Sequence, residues 1–336
     1  MKKVAILFIV LLTSSFVFAQ NTYVPDDKFE QALIDLGYDT TLDDYVLTAN
    51  ISGVTTLNVS NKEISDLTGI EAFTALTYLN CNNNQFTSLD VSANTALTYL
   101  SCSGPYLGGV LTTLDVSSNT ALTQLHCGNN QLTSLDVSSN TALTYLHCGI
   151  NPLTALDVSA NTALTDLYCY ENQLTSLDVS ANTALTGLNC NNNQLTSLDV
   201  TNNTALTYLG CFGNKLTTLD VSSNTALTNL NCGANQLTTL DVSSNTALTK
   251  LTCGYGNPFT SLDLSANTAL TYLNCDNGQL TSLDVSSNTA LTSLGIRSNQ
   301  LTTLDVSSNT ALTNLNCGAN QLTSLDVSKN TALTNL

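Results

Sequence analysis

The feature that most constrains this chain is a 21-residue unit, LTxLxCxxNQLTSLDVSxNTA, that repeats with little change to the end of the sequence. Copies begin at Leu76, Leu97, Leu122, Leu143, Leu164, Leu185, Leu206, Leu227, Leu248, Leu270, Leu291 and Leu312, and a looser first copy begins at Val54. A unit this short cannot bury an apolar face alone, so neighbouring copies must stack into a solenoid. In the copy at Leu143, Leu146 and Cys148 alternate with Tyr145 and His147, the period of a strand with one buried face. Stacked coils pair such strands in parallel, about 4.8 Å apart, so thirteen coils predict a sheet on the order of 60 Å long. The return stretch Leu135-Asp136-Val137 also alternates and is expected to be strand-like or irregular, because Ser, Asn and Thr compete for a helical backbone. Two copies are long: the one at Leu97 carries an insertion over residues 104–110, and the one at Leu248 has one extra residue near Tyr255.

Cysteine usage follows the repeat. Cys81, Cys102, Cys127, Cys148, Cys169, Cys190, Cys211, Cys232, Cys253, Cys275 and Cys317 share one slot, which Val59 and Ile296 fill in the remaining copies. A slot that accepts Val and Ile is a core slot, so these cysteines read as small buried hydrophobes and not as a disulfide framework.

The N-terminus sets the compartment. Lys2 and Lys3 precede an apolar run over residues 4–12, and a small-residue patch ends at Val17-Phe18-Ala19. That layout predicts a signal peptide over residues 1–19, with an apolar stretch too short to span a bilayer. No Cys follows the cut, which argues against a lipid anchor there, and no later stretch predicts membrane insertion. Residues 20–53 are expected to form a cap: Pro25-Asp26-Asp27 starts a helix, Gly37 stops it, and Phe29, Leu33 and Leu36 share the face that covers the first coil. The solenoid occupies 54–336, and the sequence stops five residues into another LTxL signature, so the array is read as truncated. The net charge is −17, with 8 basic against 25 acidic residues, which excludes nucleic acid and anionic lipid as default partners.

Two Asn slots punctuate each coil, one typified by Asn130 and Asn151 and the other by Asn119 and Asn140. Their amides are expected to satisfy inward-facing backbone groups at the bends. Twelve Asp residues, from Asp90 to Asp326, form a third column. Stacked carboxylates repel, and the six Lys and Arg left after the signal is removed cannot neutralise them. Each is expected to accept local backbone or Ser hydroxyl hydrogen bonds; calcium would require more oxygen ligands and a Gly-rich loop. His126 and His147 occupy one slot of adjacent coils, with Asp166 one coil on, and read as ligand-contacting side chains because supporting metal ligands are sparse. No metal site and no cofactor is expected. No nucleophile elbow, phosphate loop or zinc-protease signature occurs, so the chain does not read as an enzyme.

The pattern LxxLxCxxNxLxxLDVSxNTA resembles the leucine-rich repeats of bacterial internalins, in particular those whose 21-residue repeats stack a ladder of cysteines. The resemblance covers 76–336 and, more loosely, residues from 54. It implies a mainly β, right-handed, curved leucine-rich-repeat coil with a parallel concave sheet and a small helical N-terminal cap. It also implies binding of a host or cell-surface ligand by the concave face, from a bacterial protein that is secreted or displayed on the cell surface. No mucin-binding module, wall-sorting motif or immunoglobulin-like cap accompanies the repeats.

Ligand contacts are expected where the frame varies. The outward strand slots carry Tyr78, Tyr99, His126, Tyr145, His147, Asp166, Tyr168, Tyr208 and Tyr272, with Tyr170 and Phe212 just beyond the strand. Tyrosine gives contact area and a hydroxyl at modest entropic cost, although it also simply suits strands. The expected partner is a protein or carbohydrate ligand on a cell or host surface, engaged in adhesion. The alternatives are a structural surface or matrix spacer, or the recognition part of a larger enzyme with its catalytic domain elsewhere.

Overall fold

A computed structural model describes residues 20–105 and 108–336; the expected signal peptide lies outside the described residues. Thirteen three-residue strands, β3 (Thr56–Asn58) through β15 (Asn314–Asn316), form one parallel sheet in strict chain order. Neighbours pair in register, so that Tyr145 faces Gln124 and Asp166, and Leu146 faces Leu125 and Leu167. The return stretch is irregular, as the hydroxyl- and amide-rich sequence dictates. Its conformation is fixed by hydrogen bonds rather than by a second sheet.

The interior is a stack of identical layers. In one coil Leu143, Leu146, Cys148, Leu153 and Val158 are all fully buried, and each layer covers the next. Ten of the eleven cysteines are buried and Cys317 is half-buried, all as free thiols. Burial pushes the thiols of Cys102, Cys148, Cys190 and Cys232 up to about 12. They are therefore protonated and apolar, which suits a slot shared with Val59 and Ile296.

Both Asn columns form hydrogen-bonded ladders. Asn130 Nδ2 donates to Cys127 O and Gly128 O of its own coil and to Cys102 O of the coil before, at 3.0–3.2 Å. Asn151 Oδ1 accepts from Leu132 N across the coil interface at 3.0 Å. In the second ladder Asn140 Nδ2 donates to Val116 O and Asn119 O, both at 2.9 Å. A third ladder runs through threonine, with Thr144 Oγ1 donating to Thr123 O at 3.1 Å. Buried carbonyls at the bends are thus paired, as burial requires.

The Asp column closes a local turn. Asp136 Oδ1 accepts Ser138 N at 2.9 Å, and the same bond recurs in the column from Asp90 to Asp326. The Ser138 hydroxyl and then its backbone N–H hold the Asp136 carboxyl below the usual carboxylate range.

The N-terminal segment holds two helices, the second a short one over Thr48–Ile51, and a small sheet that periodicity did not foretell. Helix α1 (Asp27–Asp35) starts at Asp26, and an antiparallel pair joins β1 (Asn21–Tyr23) to β2 (Tyr45–Leu47). Phe29 and Leu33 are buried as expected, whereas Leu36 is not: the helix ends at Asp35, so Leu36 becomes its C-cap and leaves the buried face, 45% exposed. Asp26 ties cap to solenoid. Its Oδ1 accepts Lys28 N and Phe29 N, while Oδ2 accepts Ser65 N, Ser65 Oγ and Asp66 N. Partial burial works to raise this carboxyl, but the bonds from Ser65, Phe29 and Asp66 outweigh it and hold the group ionised.

Two outcomes are expected. Cys148→Val should fold normally, whereas Cys148→Asp, which leaves a charge in an apolar layer, should unfold neighbouring coils; circular dichroism melting of both variants checks this, and a stable Asp variant would place the column outside the core. The melting temperature should also hold steady when a calcium chelator is added, because local donors already bind the Asp column. A large loss of stability would make that column a cation ladder.

Candidate functional site

Alternation along each strand turns its first and third residues outward, giving two columns on the sheet surface, and a third column follows the cysteines. In the first lie Tyr78, Tyr99, Gln124, Tyr145, Asp166, Gly187 and Tyr208; in the second, Asn80, Ser101, His126, His147, Tyr168, Asn189 and Gly210. Tyr170 and Phe212 belong to the third.

The aromatic side chains do not stay in separate columns. Tyr78 and Tyr99 stack with ring centroids 4.2 Å apart and planes 10° from parallel. Tyr99 then meets His126 at 5.2 Å, His126 stacks on Tyr145 at 4.6 Å, and Tyr145 reaches Tyr168 at 5.4 Å. His147 lies 5.5 Å from the Tyr170 ring, and its Nε2 pairs with the Tyr170 hydroxyl at 3.1 Å. It also lies 6.3 Å from Tyr168 and so joins the run. Seven rings from five successive coils therefore form one continuous ridge. Aromatic contacts at such separations each contribute about 0.5–1.5 kcal/mol beyond area burial.

Glycine makes room for the crossings. A Cβ on Gly128 would lie 2.3 Å from the His147 ring, and one on Gly149 would lie 2.9 Å from the Tyr170 ring. Both rings lean over a backbone that only glycine leaves open. At the far end of the ridge, Asp166 accepts from Thr165 Oγ1 at 2.9 Å and from the Tyr168 hydroxyl at 3.4 Å. A Cβ on Gly187 would press on the same carboxylate at 2.8 Å.

Burial among rings also sets the charge of this surface. Desolvation, with repulsion from His147 second, lowers His126 to about 4, and desolvation lowers His147. His126 Nε2 is buried without a partner. Desolvation, reinforced by Tyr168 and Asp166, pushes Tyr145 up to about 12. At neutral pH His126, His147 and Tyr145 are therefore uncharged. Among the described residues, no three His, Cys, Asp or Glu side chains gather as a metal would need, and no helix is long and apolar enough to cross a membrane.

The sequence-predicted residues separate into groups. Tyr78, Tyr99, His126, Tyr145, His147, Tyr168 and Tyr170 come together, with Asp166 beside them. Tyr208 follows across the gap left by Gly187, where burial, and then the nearby Tyr168, raise the pKa of its phenol. Phe212 stands apart and pairs with Tyr255 at 5.6 Å. Tyr272 joins neither group, because Asn229 and Lys250 separate it from Tyr208. Tyr255 and Val110, each 39% exposed, are further large apolar groups on the surface. Both sit in the two inserted segments, and departure from the 21-residue frame was the signal that marked them.

Acid should loosen this ridge. The folded protein takes up the His126 proton only near pH 4, whereas the unfolded chain takes it up near 6.5. The stability tied to neutral His126 is whole above pH 6.5 and declines as pH falls toward 4. An NMR titration should place the His126 midpoint about two pH units below an ordinary histidine, and His126→Phe should flatten that part of the stability profile. A midpoint at 6.5 or above would overturn the buried placement.

No protein-family profile matches the chain. Among solved structures, it is similar to the functional domain of internalin J from Listeria monocytogenes, which includes a cysteine ladder; the TM-score is 0.79 and identity 40%, over 95% of this chain and 75% of that one. An internalin (inlF) from the same species shares the fold, with a TM-score of 0.74 and 23% identity over 93% of this chain and 95% of its own. The curated sequence of internalin J from Listeria monocytogenes serotype 4b is 42% identical over 74 residues, which are 22% of this chain and 8% of that protein's length. With the repeat, the cysteine ladder and this identity over three quarters of a solved relative, the chain belongs to the internalin family of leucine-rich-repeat proteins.

Proposed function

We propose that this protein is a secreted or surface-displayed bacterial adhesion module that grips a macromolecular ligand through the aromatic part of its concave sheet, without catalysing a reaction. The observation that carries this reading is the continuous seven-ring ridge, built at the outward slots where the otherwise repetitive frame varies. Rigid, half-buried tyrosines are what a binding surface uses to gain contact area at low entropic cost. Their arrangement favours a protein ligand over a glycan. Tyr78 and Tyr99, and His126 and Tyr145, occupy one another's ring faces, so a ligand meets ring edges and hydroxyls, not open faces on which a sugar could stack.

The spacer alternative predicts no binding at all, which makes one experiment decisive. Tyr145, Tyr168 and Tyr208 are changed together to Ser, and melting is measured beside binding to arrays of purified extracellular proteins and of glycans. Loss of one anchoring Tyr in such a patch is worth about 2 kcal/mol, roughly a thirtyfold drop in affinity. The variant should still fold, because the core lies on the other face of the strands, with melting lowered only by the lost ring contacts. Binding that survives the triple change would move the site to the Phe212–Tyr255 pair or the 104–110 insertion. Glycan-only binding would reverse the choice of ligand class, and no binding by either protein would favour the spacer.

A further inference from the structure

We propose that Cys253 and Cys275 form a peroxide-sensitive oxidation site, the one step of the ladder built to close into a disulfide. Their Sγ atoms lie 3.2 Å apart, the one sulfur–sulfur contact of hydrogen-bond length among the described residues. The cysteines at the other steps bond, where they bond at all, to backbone, as Cys81 Sγ does to Ser101 O and Cys190 Sγ to Gly210 O, each at 3.3 Å.

The reason lies in the inserted residue. The coil that begins at Leu248 reaches its next cysteine after 22 residues instead of 21, and the extra length is absorbed directly after Cys253. There Tyr255 takes φ +60°, left-handed as Ile150 and Ala234 are at the same slot of other coils, and Gly256 adds a second left-handed residue at φ +100° that those coils lack, a conformation glycine adopts readily. The backbones of the two coils approach closely at this point. A Cβ on Gly254 would fall 2.1 Å from Asp276 O and 2.5 Å from the Cys275 carbonyl carbon. Close backbone approach and thiol contact thus occur at the same step. Tyr255 and Gly256 are exposed while Cys253 is buried two residues away, so an oxidant reaches the thiols only when this loop opens.

A disulfide needs its sulfurs about 2.05 Å apart, so the two coils must give by about 1 Å, and the loop 254–256 is the segment placed to yield. The oxidant is hydrogen peroxide or another small peroxide. Once the loop 254–256 yields and water reaches Cys253, its thiol can ionise; the thiolate attacks a peroxide oxygen, the O–O bond breaks, and a sulfenic acid and one water result. The second sulfur then attacks the sulfenic sulfur; the S–S bond forms, the S–O bond breaks, and a second water leaves. Two thiols and one peroxide give one disulfide and two waters, with both thiol protons in the water.

The test exposes the full folded protein to graded hydrogen peroxide, then unfolds it in alkylating reagent and maps every cysteine by mass spectrometry. The expected result is the loss of two hydrogen masses in a species linking Cys253 to Cys275, with free thiols falling from eleven to nine while the other ladder cysteines remain alkylated. Cys275→Val should abolish the link, and Cys148→Val should leave it intact. Deleting Tyr255 to restore the 21-residue spacing should suppress it, with melting measured to confirm that this variant folds. Equal linkage at other steps, oxidation scattered as single sulfinic acids, or a ladder untouched before unfolding would each overturn the proposal.

Discussion

Each coil must bend sharply twice while keeping its backbone out of water, and the structure depends on how those bends satisfy their carbonyls. The two Asn ladders answer that requirement. Asn130 spends its amide hydrogens on carbonyls of two coils, and Asn140, at the opposite bend, spends both on carbonyls of the coil before. Neither Asp nor Gln would serve, since the first lacks the donor and the second overshoots. Leucine burial supplies the driving force, but it is the amide that holds successive layers in register. The arrangement is not fully balanced: Oδ1 of the second ladder is buried without a partner from Asn94 to Asn330. The geometry that places Nδ2 on two carbonyls leaves the oxygen behind.

Once the frame is fixed this way, the sheet surface is free to vary. The Leu and Cys slots face inward and tolerate only compact apolar residues, so a change at Tyr145 or His147 does not propagate into the layers beneath. The ridge nevertheless has structure of its own. Its rings lean across columns and onto Gly128 and Gly149, so the aromatic residues and the glycines form one unit, and a methyl group on either glycine would displace a ring.

Much of this architecture was legible in the sequence. Leu146, Cys148, Asn130 and Asn140 recur with a fixed period, and a period translates directly into a column. Irregular parts resisted for physical reasons. The β1–β2 pair has too few residues for alternation to stand out, and the place of Leu36 depended on where a helix ends, which capping at Asp26 does not determine. The ring contacts were hidden because adjacency in a column says nothing about side-chain lean. His126 found its stacking partner in Tyr145, one column over, and Phe212 found Tyr255, whose outward position depends on a positive φ.

The sameness of the coil interfaces bears on how such a gene can change. Each coil offers its successor the same carbonyls and takes the same from its predecessor, so a whole unit can be gained or lost by unequal recombination without leaving a mismatched junction. The buried layers would not register the event, but the exposed columns would. Excision of the coil that begins at Leu164 would set Gly187 beside Tyr145 and remove Tyr168 and Tyr170 from the ridge in a single step. Copy number thereby becomes a way to redraw the exposed aromatic surface while the scaffold beneath it stays sound.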